Sequence, residues 1–127
     1  QIDLVAHEIA RRIENNAVKR VVIDAATDVQ EGAADRDRYR EFLYSLTQMF
    51  AQRNVTSMLI AEATESQSWN YGISASEVAR MSDNIIQLEL RLTAGLDRMI
   101  RVVKSRGSAH DGRRLPLHIT ARGITVG

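Results

Sequence analysis

The stretch RVVID at residues 20–24 decides the fold class. Its three consecutive β-branched residues predict a strand that is buried on both faces, which is typical of a parallel sheet. An amphipathic helix is predicted before it, over residues 3–15, and a second helix after it, over residues 37–52. A second buried strand is predicted over residues 55–61. The order helix, strand, helix, strand predicts a right-handed crossover between two parallel strands, and therefore an α/β fold.

Two antiparallel hairpins are predicted in the second half of the chain. Residues 84–91 and 98–104 are expected to form the first, with a turn around Gly95. Residues 117–120 and 124–126 are expected to form the second, smaller hairpin. A parallel sheet that lacks neighbouring strands exposes its edges and apolar faces. We therefore expect another copy, or a further segment, to cover this chain.

Composition limits the classes of function. A length of 127 residues is that of one domain, and the absence of cysteine excludes a disulfide framework, a thiolate zinc site and a cysteine nucleophile. No apolar run reaches membrane-spanning length, so we expect no membrane partner, and the absence of cysteine fits a protein of the reducing cytoplasm. The formal net charge of +1 does not favour nucleic acid. Residues 98–122 nevertheless contain seven Lys or Arg and one acid, which predicts either an anion-binding surface or a solvated edge.

An acidic residue follows each predicted parallel strand. Asp24 follows the first strand and Glu62 follows the second. Open α/β sheets bind their ligands at the carboxyl ends of the strands, so both residues are candidates for a ligand site. Asp24 is a candidate ligand of Mg²⁺, and Glu62 is a candidate to orient water. The alternatives are that Asp24 caps the next turn and that Glu62 faces solvent.

The segment VKSRGSAH at residues 103–110 carries the second candidate site. Because side chains alternate along a strand, Lys104 and Arg106 are predicted to share the face of Val102 and to extend it beyond the sheet. Two cations with one direction are suited to bind phosphate. Gly107 would let the backbone turn closely after them, towards His110. The alternative is a solvated rim, and His110 by itself is typical of a surface histidine.

Taken together, these residues resemble the carboxyl-terminal half of a KaiC-like ATPase domain, a member of the RecA-like P-loop superfamily. Order and spacing agree in five segments, at residues 20–24, 56–62, 71–88, 103–110 and 117–126. The resemblance implies a partial RecA-like three-layer sandwich with parallel central strands and antiparallel carboxyl-terminal hairpins. It also implies that residues 1–127 belong to a single domain, from its Walker B strand to its last hairpin.

The resemblance implies a hexameric ring with ATP between subunits. Asp24 would bind Mg²⁺ in its own subunit, and Glu62 would take part in catalysis. The residues that would contact the nucleotide of the neighbouring subunit are Lys104, Ser105, Arg106 and His110, with Lys104 and Arg106 also catalytic. Hydrolysis would then require the assembled ring.

Two departures from the family pattern limit what the 127 residues can do. Residues 107–114 have the glycine spacing of a Walker A loop but lack its Lys and Ser/Thr, so we expect hydrolysis in an intact protein and not in this segment by itself. Ala79 and Arg80 occupy the positions of the Ser and Thr that are phosphorylated in the autokinase type. This favours the plain ATPase type over an autokinase.

Three functions stay open from the sequence. The first is an ATPase module in a ring, with a signalling or regulatory role that includes the circadian clock role known in the family. The second is an oligomerisation scaffold without turnover. The third is a recombinase-like ATPase that binds single-stranded nucleic acid. The third is disfavoured because residues 25–36 have no basic excess and no aromatic residue.

Overall fold

The structure is a computed structural model that describes residues 2–26, 35–61, 79–92 and 95–127. The chain divides into two compact units, Gln1–Met81 and Ser82–Gly127. Among the described residues, neither helix is long and apolar enough to cross a membrane.

The first unit contains two helices and a parallel pair of strands. Helix α1 is Ile2–Asn15, strand β1 is Arg20–Ile23, helix α2 is Arg36–Gln52 and strand β2 is Thr56–Leu59. The two strands are parallel and in register, from Arg20 opposite Thr56 to Ile23 opposite Leu59. The predicted helix, strand, helix, strand order is therefore confirmed, with bounds that differ by one or two residues.

Local chemistry sets the limits of α2. Asp35 is its N-cap, and the Asp35 carboxylate accepts a hydrogen bond of 2.8 Å from the backbone N–H of Arg38. After the helix, Asn54 has a φ of 54°, in the left-handed region that asparagine tolerates better than most residues. The backbone thus reverses at Asn54 and leads directly into β2.

One face of the parallel pair is packed, and the other is not. Val21, Ile23 and Leu59 pack against the core of this unit. The buried members of that core are Ile2, Ile13, Tyr39, Phe42, Leu43, Leu46, Phe50 and Val55. Val22, on the opposite face of β1, is 61% exposed. The expectation that β1 is buried on both faces is wrong for this chain, because both helices contribute their apolar side chains to the same core cluster.

The second unit is an antiparallel sheet of four strands in the order β3-β4-β5-β6. Strand β3 is Asn84–Leu92, β4 is Leu96–Ser105, β5 is Leu115–Thr120 and β6 is Gly123–Val126. Both predicted hairpins are present, and each begins at or before its predicted position. The α/β fold with a parallel pair and antiparallel carboxyl-terminal strands is thus confirmed.

The four-stranded sheet has one apolar face and one polar face. Register decides which side chains share a face: Leu88 lies opposite Ile100, and Leu92 lies opposite Leu96. Extended by alternation, the apolar sheet face holds Ile86, Leu88, Leu90, Leu92, Leu96, Ile100, Val102, Leu115, Leu117, Ile119, Ile124 and Val126, with Arg98 among them. Several of these side chains are largely exposed, up to 88% for Leu92. The exposure agrees with the expectation that apolar faces lie open in this chain, and their cover stays a prediction.

A β-bulge changes the direction of Lys104. Ile86 is opposite Val102, but Ile85 is opposite Lys104, so Val103 is the extra residue of β4. Ile85 and Ile86 are consecutive in β3, so their side chains point to opposite faces of the sheet. Their partners, Lys104 and Val102, therefore also point to opposite faces. The prediction that Lys104 shares the face of Val102 is therefore wrong, because the bulge shifts the alternation by one residue.

Candidate functional site

Asp24 lies directly after β1, and its backbone is fixed by the strand next to it. The N–H of Ile60 donates to the carbonyl oxygen of Ile23 at 2.9 Å, and the N–H of Ala26 donates to the carbonyl oxygen of Ile60 at 2.8 Å. These two bonds enclose Asp24, and the peptide bond that follows it is cis. The Asp24 carboxylate is exposed and makes no hydrogen bond or ion pair with the described residues. Its oxygens are thus available to a ligand at the carboxyl end of a parallel strand.

Tyr39 of α2 supports the backbone beside Asp24. Its hydroxyl donates a buried hydrogen bond of 2.8 Å to the carbonyl oxygen of Ala26, and its side chain is 1% exposed. This contact was not predicted from the sequence. A signal was present, because a buried tyrosine hydroxyl normally requires a hydrogen-bond partner.

Glu62 lies outside the described residues. Ile60 and Ala61, which precede it, continue from β2 beside the end of β1. The parallel pairing on which the Glu62 prediction depended is confirmed, and the position of its side chain stays a prediction.

The second candidate site lies at the end of β4. The ammonium of Lys104 donates a hydrogen bond of 2.6 Å to the carbonyl oxygen of Ser82, and its side chain is half-buried. The guanidinium of Arg106 donates from Nη1 to Oδ1 of Asp83 at 2.9 Å, and the Arg106 side chain is 64% exposed. Both cations therefore have partners in their own chain, and Arg106 also faces solvent.

Ser105 and His110 differ in how firmly they are held. The Ser105 hydroxyl donates to Oδ1 of Asn84 at 3.1 Å and lies 2.7 Å from the Ser108 hydroxyl. Gly107 has a φ of 78°, which glycine adopts without strain, so the predicted turn after Arg106 is present. His110 is exposed beyond this turn.

The basic residues of the second unit are largely paired with acids. Arg114 contacts Glu89 at 3.0 Å and, with a smaller contribution from Arg91, holds the pKa of that carboxyl below its usual value. Arg113 contacts Asp111 at 2.7 Å, and its hydrogen bonds lower the pKa of Asp111. This pairing favours a local anion site over a broad basic surface, because paired cations attract polyanions less strongly.

A magnesium ion would find one carboxylate at Asp24. The described residues hold no group of three or more His, Cys, Asp or Glu that could bind a metal by themselves. Mg²⁺ is usually bound through one or two carboxylates, with water and substrate phosphates as its other ligands. The exposed carboxylate of Asp24, which makes no bond with the described residues, therefore fits Mg²⁺ that arrives with a nucleotide.

Comparison with known proteins shows which family the chain resembles. The family profile described as "ATPase: KaiC" matches residues 1–127. A UPF0273 protein of Thermotoga maritima is 28% identical over 123 residues, which cover 96% of this chain and 49% of that protein. The circadian clock oscillator protein KaiC of a Nostoc species is 27% identical over 108 residues, covering 84% of this chain and 20% of that protein.

A solved structure agrees with the fold. The crystal structure of a KaiC-like protein from the hyperthermophilic archaeon Pyrococcus horikoshii matches 100% of this chain and 54% of its own, with a TM-score of 0.82 and 26% identity. The chain thus spans about half the length of the UPF0273 relative and of this structural neighbour. With a family profile that matches every residue and a solved relative that shares the fold, the chain belongs to the KaiC family of ATPases and has a RecA-like fold.

Proposed function

We propose that this chain supplies the magnesium-binding and phosphate-contacting residues of an ATP-hydrolysing ring, with each nucleotide held between two subunits. The observation that carries the proposal is Arg106, whose guanidinium is exposed at a strand end and contacts its own chain through one nitrogen of the side chain. The guanidinium is rigid and planar, so its other N–H donors have fixed directions, and this geometry is suited to bind a phosphate. Membership of an ATPase family makes a nucleoside triphosphate the ligand of choice.

Asp24 would bind Mg²⁺ within its own subunit. The ion supplies charge that stabilises the phosphates during transfer. Asp24 contributes a carboxylate whose backbone is held on both sides by hydrogen bonds to Ile60. Glu62 is proposed to orient the attacking water next to it.

Lys104 and Arg106 would reach the nucleotide of the neighbouring subunit, with Ser105 and His110 beside them. Their charges would oppose the negative charge that develops on the transferred phosphoryl group. A nucleotide site that is shared in this way couples hydrolysis to assembly. The proposed active form is therefore a ring, with the six subunits that the resemblance to KaiC-like ATPase domains implies. We place this activity in the cytoplasm and assign it a regulatory or signalling role.

The test uses the full-length gene product, because residues 1–127 contain no Walker A loop. Lys104→Ala combined with Arg106→Ala should lower the rate of ATP hydrolysis on the order of a thousandfold, as expected for the loss of cations at the γ-phosphate. Binding of a fluorescent ATP analogue should stay close to that of the unsubstituted protein, because the phosphate cradle lies elsewhere.

A matched control is Asp3→Ala with Arg38→Ala, which removes another exposed pair between charged side chains. This control should keep the rate of hydrolysis. An unchanged rate in the Lys104 and Arg106 variant would remove both residues from the site.

A second function is an oligomerisation scaffold without turnover. The exposed apolar sheet face favours it, since a surface of this kind requires a partner. A full-length protein that forms rings and binds ATP, but shows no hydrolysis above background, would support the scaffold and exclude the ATPase.

A further inference from the structure

In the second unit, two short segments are joined by hydrogen bonds, and each residue of one segment bonds to a different residue of the other. Residues 82–84, here called the clamp, provide hydrogen-bond acceptors. Residues 104–106, here called the finger, provide the donors. Each clamp residue binds a different finger residue, so the whole finger is held by three consecutive positions.

Ser82 and Asp83, the first two residues of the clamp, bind the finger through two kinds of acceptor, backbone carbonyl oxygens and a side-chain carboxylate. The carbonyl oxygen of Ser82 accepts from the Lys104 ammonium at 2.6 Å. Asp83 binds Arg106 twice: its carbonyl oxygen accepts from the backbone N–H at 2.8 Å, and its carboxylate accepts from Nη1 at 2.9 Å. Backbone and side chain of Arg106 are thus fixed by a single residue.

The strand ladder accounts for only one of these contacts, the backbone bond from Arg106 to Asp83, which continues the pairing of Asn84 with Ser105 by one residue. It does not account for the side-chain bonds of Lys104 and Arg106. Strand β3 begins at Asn84, which lies opposite Ser105. Ser82 and Asp83 precede the strand, yet their acceptors are directed to the two cations of the finger. The bulge at Val103 makes this possible, because it turns Lys104 away from the face of its neighbours in β4.

Stability is a poor explanation for the pair of Asp83 and Arg106. The two side chains are 70% and 64% exposed, and exposed ion pairs contribute little to stability. A long arginine side chain that is held by one contact has fewer orientations to lose when it binds an anion. The pair is therefore suited to orient Arg106.

A competing role for Asp83 would require a different geometry. A carboxylate that stands in for a phosphate would engage the guanidinium through two parallel bonds. Within the guanidinium, the Asp83 carboxylate bonds only to Nη1, and neither Nε nor Nη2 of Arg106 makes a hydrogen bond or ion pair with the described residues. The contact leaves two nitrogens of the guanidinium available to an anion.

We propose that Asp83 is a positioning residue that aligns Arg106 for the phosphates of the neighbouring subunit's nucleotide, with Ser82 doing the same for Lys104. This inference rests on the proposed function of the finger. It adds a residue that contacts no nucleotide itself and sets the orientation of one that does.

The test compares Asp83→Ala with Asp83→Asn in the full-length gene product. Asp83→Ala should lower kcat about tenfold with KM unchanged, because orientation matters in the transition state and not in ground-state binding. Asp83→Asn keeps an oxygen acceptor at the same position and should restore most of kcat. Asp3→Ala, which removes the carboxylate of another exposed pair, is the matched control and should leave both constants unchanged.

A double variant separates positioning from a structural role. If Asp83 acts through Arg106, then Asp83→Ala added to Arg106→Ala should lower kcat no further. The NMR order parameter of the Arg106 Nε–H bond should fall in Asp83→Ala and recover in Asp83→Asn, a readout that requires no hydrolysis.

Three results would overturn the inference. They are a kcat that is unchanged or higher in Asp83→Ala, an additional loss in the Arg106→Ala background, and an Arg106 order parameter that does not change. Failure of the proposed function is a separate result: the variant of Lys104 and Arg106 would then hydrolyse ATP normally. A finger variant that is inactive beside a normal Asp83→Ala would contradict only the role of Asp83.

Discussion

At the scale of single residues, the candidate site depends on side chains whose partners lie in their own chain. Asp24 has an exposed carboxylate on a backbone fixed by Ile60, and Tyr39 holds the carbonyl of Ala26 two residues further on. Arg106 is oriented by Asp83. In both places the residue proposed to contact ligand is supported by another that was not recognised from the sequence.

The hydroxyl of Tyr39 should be needed for stability. Tyr39→Phe leaves the buried carbonyl oxygen of Ala26 without this donor, which should lower the free energy of unfolding by about 1–3 kcal/mol. Urea unfolding of the full-length protein measures the change. Tyr44→Phe, in the same helix but at a position 55% exposed, is the control and should have almost no effect. Equal stability of the two variants would show that the contact is not maintained in solution.

At the scale of elements, Glu89 connects three parts of the antiparallel sheet. It lies in β3, contacts Arg101 of β4 at 3.9 Å, and contacts Arg114, which directly precedes β5, at 3.0 Å. Its side chain is 17% exposed, so solvent screens this network less than the other ion pairs of the unit. The arginines hold the pKa of Glu89 below its ordinary value of 4.5.

The network predicts a sign for the pH dependence. Because the folded-state pKa of Glu89 lies below 4.5, its contribution to stability is complete above that pH and is lost as the pH falls through the folded-state value. Glu89→Gln should therefore reduce the loss of stability in acid. Unfolding free energies measured across this range provide the test, with Glu41→Gln on the exposed surface of α2 as the control. Identical acid curves for Glu89→Gln and the unsubstituted protein would contradict the network.

The sequence predicted the elements well because their signals are local. Helical spacing in α1 and α2 and alternation in β3 were sufficient to identify each type of element. The bulge at Val103 was missed, since it depends on how β4 pairs with a strand about twenty residues earlier, and strand register is set by such non-local pairing. The clamp on Lys104 and Arg106 was missed for the same reason, although the residues of the finger were identified.

At the scale of the whole molecule, the chain exposes apolar surface in both units. Val22 of β1 and Leu88 of β3 are each more than half exposed, as are Ile86 and Leu90 on either side of Leu88. The sequence predicted open faces from the expected absence of neighbouring strands. It did not predict which face of β1 would stay open, because three consecutive β-branched residues look the same whether one face is covered or two.

This surface should make the chain associate. The 127 residues expressed by themselves should sediment as a species larger than a monomer, because an exposed apolar sheet face is a docking surface. Leu88→Lys with Ile119→Lys should reduce the association. His118→Lys, at an exposed position on the polar face of the same sheet, is the control and should not. A clean monomer at high concentration would contradict the expectation that these faces need a cover.

We propose a nucleotide site that two subunits complete, and mixing two inactive full-length variants provides the decisive experiment. Asp24→Asn subunits keep an intact finger, and subunits with Lys104→Ala and Arg106→Ala keep an intact Asp24. If each site combines Asp24 of one subunit with the finger of the next, an equal mixture should regain about a quarter of the unsubstituted ATPase rate, since heterologous ring contacts pair subunits at random. Mixed rings that form but stay as inactive as either variant would contradict the shared site.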